Sequence, residues 1–149
     1  MEKLHLAVRQ LVPGLRLAIR QKSALSQRIE ALKDDEGPVN LADRPVAEQA
    51  AFIQASDIVH LCGCYIGGAL TNLAHSEEAF ALIAPELDPS IAQHARDSVV
   101  DDLACAPFYG VSAEAVIVAS LSSVEGDLNL AQSQLSRASS LLDTISAQG

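Results

Sequence analysis

The chain has 149 residues, enough for one ordinary domain, with 49% hydrophobic but only 3% aromatic side chains, so its core is aliphatic and alanine-rich and needs neither metal nor disulfide to close it. A formal charge of −9 argues against a nucleic-acid surface, which neutralises phosphates with clustered Lys and Arg, and the lack of Trp argues against base-stacking or carbohydrate platforms. Three cysteines, an odd number, in a chain whose opening Met1–Arg9 segment has no secretory h-region point to a reducing cytoplasm.

The charge is uneven. Residues 1–33 hold seven basic and two acidic side chains, a net +5, which leaves −14 on the remainder. Over 3–33 the spacing predicts a first helix. Leu11, Leu15, Ala18, Leu25, Ile29 and Leu32 follow a three-four rhythm, and Lys22 is the one polar break in that stripe. Pro13-Gly14 falls inside the pattern and predicts a break or kink, because a helix-interior proline removes a hydrogen bond and clashes with the preceding turn. Such a basic helix packs against the acidic body; the sharper alternative is an arm that meets an anionic membrane surface or a partner. Residues 34–44, polar and proline-containing, read as a linker to an acidic helical body over 45–149.

The central helix is predicted over 45–75. Phe52, Ala55, Val59, Cys62, Ile66, Ala69 and Leu73 form its apolar stripe. A second, mostly uncharged seam runs through Asp57, His60, Cys64, Gly68, Thr71 and His75. The uncharged run Ile58–Leu73 is shorter than the ~20 residues of a membrane span, and Asp57, Glu77 and Glu78 crowd its ends, so no transmembrane segment is expected. Gly63, Gly67 and Gly68 each cost roughly 1 kcal/mol relative to Ala in a helix interior. Close approach by another helix, or by a ligand over the Gly67/Gly68 gap, would offset that cost.

Downstream, Ser76 with Glu77 and Glu78 reads as the capped start of a short helix to Ala84, the alternative being direct continuation of the central one. Asp88-Pro89 starts a further helix, with Ile91, Ala95, Val99 and Leu103 as its stripe, which stops before Pro107. Phe108-Tyr109-Gly110 makes the turn, and Ser112 opens a last helix over about 112–146. Its heptad, Ile117, Leu121, Val124, Leu128, Ala131, Leu135, Ala138, Leu142 and Ile145, passes through Gly126 without a slip and predicts one continuous rod. Alanine at that seam permits close packing, including across a dimer.

His60-x-Cys62-x-Cys64 resembles a metal cluster on paper, but at ~100° per residue Cys62 points away from His60 and Cys64, and zinc spacings are absent. The polar seam is the better candidate. Asp57 stands one turn from His60 and can orient its imidazole, and Cys64 is one turn further on. The candidate ligand-binding set is therefore Asp57, His60, Cys64, Gly67, Gly68, Thr71 and His75; the competing reading is the less buried side of a core helix. His94, Asp97 and Asp101 share one face, more often solvated than cation-binding. No phosphate loop, nucleophile elbow or Glu-x-x-His di-iron pattern occurs, so no catalytic residue is assigned and no enzyme is indicated. No cofactor is expected, and a metal or small ligand would bind, if anywhere, at His60 and Cys64.

These readings combine into an all-α, single-domain bundle of four to six helices around the central one. The expected function is a cytoplasmic protein-interaction module of the adaptor, chaperone, immunity or inhibitor type, homodimeric through its long-helix seams. The alternative is a small-molecule or metal-binding bundle that uses the polar seam.

Overall fold

Two long helices carry the core. The central helix, α3 (Val46–Leu73), and the C-terminal helix, α6 (Ala113–Asp143), pack along each other in the largest contact between elements. The structure, a computed structural model, describes residues 2–33 and 41–145, and every regular element among them is helical. α3 turns its expected stripe inward: Phe52, Ala55, Val59, Cys62, Ile66, Ala69 and Leu73 are all buried. α6 answers with Leu121, Val124, Leu128, Ala131, Leu135, Ala138 and Leu142, and it runs unbroken through Gly126. Alanines 55, 69, 131 and 138 are fully enclosed; their small side chains let the two backbones approach, close enough for the Cys62 thiol to donate to the Ala131 carbonyl at 3.8 Å. Burial pushes the Cys62 thiol above its ordinary pKa, and the nearby Lys22 ammonium offsets part of that rise. The α6 heptad is thus filled within the chain, so this seam is not free to join two copies.

The basic N-terminal segment is two helices rather than one, α1 (Glu2–Gln10) and α2 (Val12–Lys33). The chain breaks at Leu11, ahead of the proline. Pro13 then lies in the first turn of α2, where its missing N–H leaves no bond unmade. Gly14 lets α2 approach α6, since a Cβ there would stand 3.2 Å from Leu128 Cδ2. Carboxylates of the body meet this segment's cations: Arg9 pairs with Glu78, Arg16 and Arg20 with Glu86, and Arg28 with Asp143. Each exposed pair contributes only ~0–1 kcal/mol, but together they lay the segment on the acidic body.

The linker reading falls mainly on residues 34–40, outside the described residues; Leu41–Asp43 form a 3₁₀ turn into α3. α3 does not continue beyond the turn at Ala74 and His75. Ser76 caps α4 (Glu77–Ile83), accepting from Ala79 N at 3.2 Å. Asp88 caps α5 (Pro89–Cys105), accepting from Ser90 N at 2.8 Å, and Ser112 caps α6 in the same way through Ala115 N. Between α5 and α6, a 3₁₀ turn over Ala106–Tyr109 ends in the left-handed Gly110, φ 70°.

Candidate functional site

The side of α3 turned away from α6 is the candidate site. One residue per turn along it, Val46, Ala50, Ile53, Asp57, His60, Cys64 and Gly67, is exposed. Val46 is 81% exposed, Ile53 59% and the adjacent Leu61 46%. Asp57 is the one charged residue on this outer stripe. By length and composition α3 is apolar enough to cross a membrane, yet only 33% of its most apolar 18-residue stretch is buried.

The expected polar seam follows one side of α3 but does not close into one pocket. Asp57, His60 and Cys64 lie open to solvent, and none of the three has a hydrogen-bond or ion-pair partner among the described residues, so Asp57 does not orient His60. Gly67 is exposed, and a Cβ there would meet nothing within 4 Å. Gly68 and Thr71 are half-buried. Gly68 faces α6, and a Cβ there would meet Asp127 Oδ2 at an ordinary contact distance of 3.5 Å; that oxygen accepts from Asn72 Nδ2 at 2.8 Å.

His75 lies beyond the end of α3, its side chain wholly enclosed. Its Nδ1 is 3.1 Å from the Thr71 carbonyl, and its Nε2 is 3.4 Å from both Ser120 Oγ and Asp102 Oδ2. With Nδ1–H donating to Thr71, the neutral ring accepts from the Ser120 hydroxyl, and a protonated ring would pair with Asp102. A serine–histidine–aspartate relay needs the acid on the other ring nitrogen. Here Ser120 and Asp102 share one nitrogen, so the arrangement ties α3 to α5 and α6 and activates no nucleophile. Sequence reasoning placed His75 on the seam but missed Asp102 and Ser120, which no local spacing connects to it.

Other candidates separate in the same way. His94, Asp97 and Asp101 lie on the exposed face of α5, where Gln93 Nε2 donates to Asp97 at 2.8 Å. Cys64 and Cys105 are exposed free thiols and Cys62 a core one. Among the described residues, no three His, Cys, Asp or Glu side chains gather as a metal site would require.

Beside the outer stripe runs an apolar groove of about 500 Å³, walled by α2, by α3 from Gly63 to Leu70, and by Leu87 and Ile91. Lys22 lies across it, its Cε 3.2 Å from where a Cβ on Gly63 would stand. Of the three central glycines, Gly63 accommodates Lys22, Gly68 lies at ordinary contact distance from Asp127, and Gly67 faces open space.

No family model, curated protein or solved structure matches the chain.

Proposed function

We propose that the protein is a helical interaction module that self-associates through the outer stripe of α3. The observation that carries this reading is the mismatch between what α3 is made of and what it buries. Exposed apolar side chains are ordinary when scattered, but a row of them along one helix face, with a single charge, is the composition of a docking surface.

The stripe is also complementary to itself. Under a two-fold axis between Asp57 and His60, two antiparallel α3 helices set Asp57 against the partner's His60, and His60 against the partner's Asp57. The same register sets Ile53 opposite the partner's Cys64 and Ala50 opposite the partner's Gly67, a larger side chain against a smaller one. Isologous contacts of this kind are the commonest basis of homodimers. Placing the partner there would remove Val46, Ile53 and Leu61 from water and give Asp57 an imidazole as the polar partner it lacks within its own chain.

A charge-swap series tests the register by sedimentation velocity across a concentration range. Asp57→Lys alone sets a cation against His60, and His60→Glu alone sets two carboxylates together. Each should weaken the dimer about tenfold or more, the scale of a lost pair and a new repulsion. The double variant Asp57→Lys/His60→Glu sets opposite signs across the axis and should recover the dimer, whereas Ile53→Glu should not be rescued. All these positions are on the surface, so the helical circular dichroism should be unchanged. A wild type that stays monomeric at every concentration, or single variants that dimerise as it does, would reject the reading. Vesicle co-sedimentation that is lost in Ile53→Glu would assign the stripe to a membrane instead.

A further inference from the structure

We propose that the groove between α2, α3 and α5 binds a single-chain carboxylate amphiphile, a medium-chain fatty acid in chemical class, with Lys22 holding its head. The proposal does not rest on self-association, although Gly67 borders both the groove and the outer stripe. At ~100° per residue, the groove wall on α3 is centred roughly a third of a turn around the helix from the outer stripe.

Lys22 interrupts the apolar stripe of α2 at a position where a leucine would continue it. It is also distinct from the other cations of that helix. Arg16, Arg20, Arg28 and Lys33 each have a carboxylate within 3.3 Å; Lys22 has none among the described residues. Its stem passes over Gly63, and its Nζ is 3.9 Å from where a Cβ on that glycine would stand. The Lys22 ammonium, at one end of an apolar groove and without a carboxylate of its own among the described residues, would gain a charge-assisted partner from an arriving carboxylate. Ser23 and Ser26 line the groove on the same helix and offer hydroxyl donors.

The remainder of the lining is aliphatic. Ile66 and Leu70 form the floor, with Ile19, Leu87 and Ile91 at the sides. About 500 Å³ lies within the range of small-molecule sites. Gly63 and Leu70 are ~10 Å apart along the axis at 1.5 Å per residue, a span that suits an extended medium-length saturated chain. Gly67 fits this role. It costs helix stability, meets no protein atom, and opens the trough where a chain would lie. The lining contains no carboxylate for a metal and no aromatic ring for a nucleobase.

Isothermal titration with octanoate, 1-octanol and octylammonium tests the proposal. Octanoate should saturate one site per chain, octanol should bind at least about tenfold more weakly, the scale of one charge-assisted contact, and octylammonium should not bind. Lys22→Gln keeps the stem and removes the charge, so it should reduce octanoate to the affinity of octanol and leave octanol unchanged. Gly67→Leu fills the trough and should abolish both, with circular dichroism preserved. Vesicles of anionic phospholipid should not compete with octanoate; competition would show that the groove takes lipid acyl chains in place of the free acid, and would overturn the assignment. Absence of saturable octanoate binding into the millimolar range, octanol bound as tightly as octanoate, or Gly67→Leu binding like wild type would each overturn it as well.

Discussion

Gly63, Gly67 and Gly68 sit mid-helix in α3 at equal intrinsic cost but in three different surroundings. A side chain at 63 displaces the end of Lys22, and one at 68 touches Asp127 at ordinary contact distance. At 67 it meets nothing within 4 Å. Gly67→Ala should therefore gain helix propensity with no steric penalty, stabilising by up to ~1 kcal/mol and raising Tm by about 2–4 °C for a chain of this size. Gly110→Ala should do the opposite by about 1 kcal/mol, because φ 70° is a conformation that L side chains adopt with strain. Differential scanning calorimetry of the two variants reads both signs. If Gly67→Ala fails to stabilise, the α3 backbone at 67 is needed for something inside the fold, and the argument that its cost is met from outside loses its basis.

At the scale of elements, the helices were legible because local rules and tertiary packing agree. Ser76, Asp88 and Ser112 act as caps as their positions indicate, and the α6 heptad buries every turn from Leu121 to Leu142. The break between α1 and α2 was legible as a break but not in its place, since Pro13 moves the boundary to the residue before its own helix starts. The site was legible only in fragments. The seam residues fall on one side of α3, but whether a side is open or covered depends on α5 and α6, so His75 is enclosed by Asp102 and Ser120 while His60 stays in water. The groove is assembled from three helices, and its sequence traces are only the Lys22 interruption and the glycine spacing. The α3–α6 seam also makes a quantitative prediction. Leu135→Ala removes a side chain that is 2% exposed and should cost about 2–5 kcal/mol. Leu130→Ala, on the same helix but 48% exposed, should stay within ~0.5 kcal/mol. Urea unfolding of the pair measures the difference. Equal costs would mean that the outer side of α6 is packed in solution, against a partner that the α3 reading does not supply.

For the whole molecule, charge would govern how two copies meet in the proposed dimer. Each carries −9, and the cations that might offset this are already paired with the acidic body through Arg9, Arg16, Arg20 and Arg28. Two such chains repel over the distance set by the Debye length, about 30 Å at 0.01 M and about 8 Å at 0.15 M salt. The proposed interface along the α3 stripe would be mainly apolar, with Asp57 and the partner's His60 its one polar pair, so salt would screen the long-range repulsion more than it weakens the local attraction. Self-association should therefore tighten as ionic strength rises from about 0.01 M to 0.15 M. Sedimentation equilibrium at the two concentrations measures it. Weakening with salt would point to an interface held by ion pairs, for example between the basic α1–α2 segment of one chain and the acidic body of another. In that arrangement Arg9 and Arg28 exchange their intrachain carboxylates for those of a neighbour, and the outer stripe of α3 is left free. The sign of the salt effect thus separates the two interfaces without any substitution.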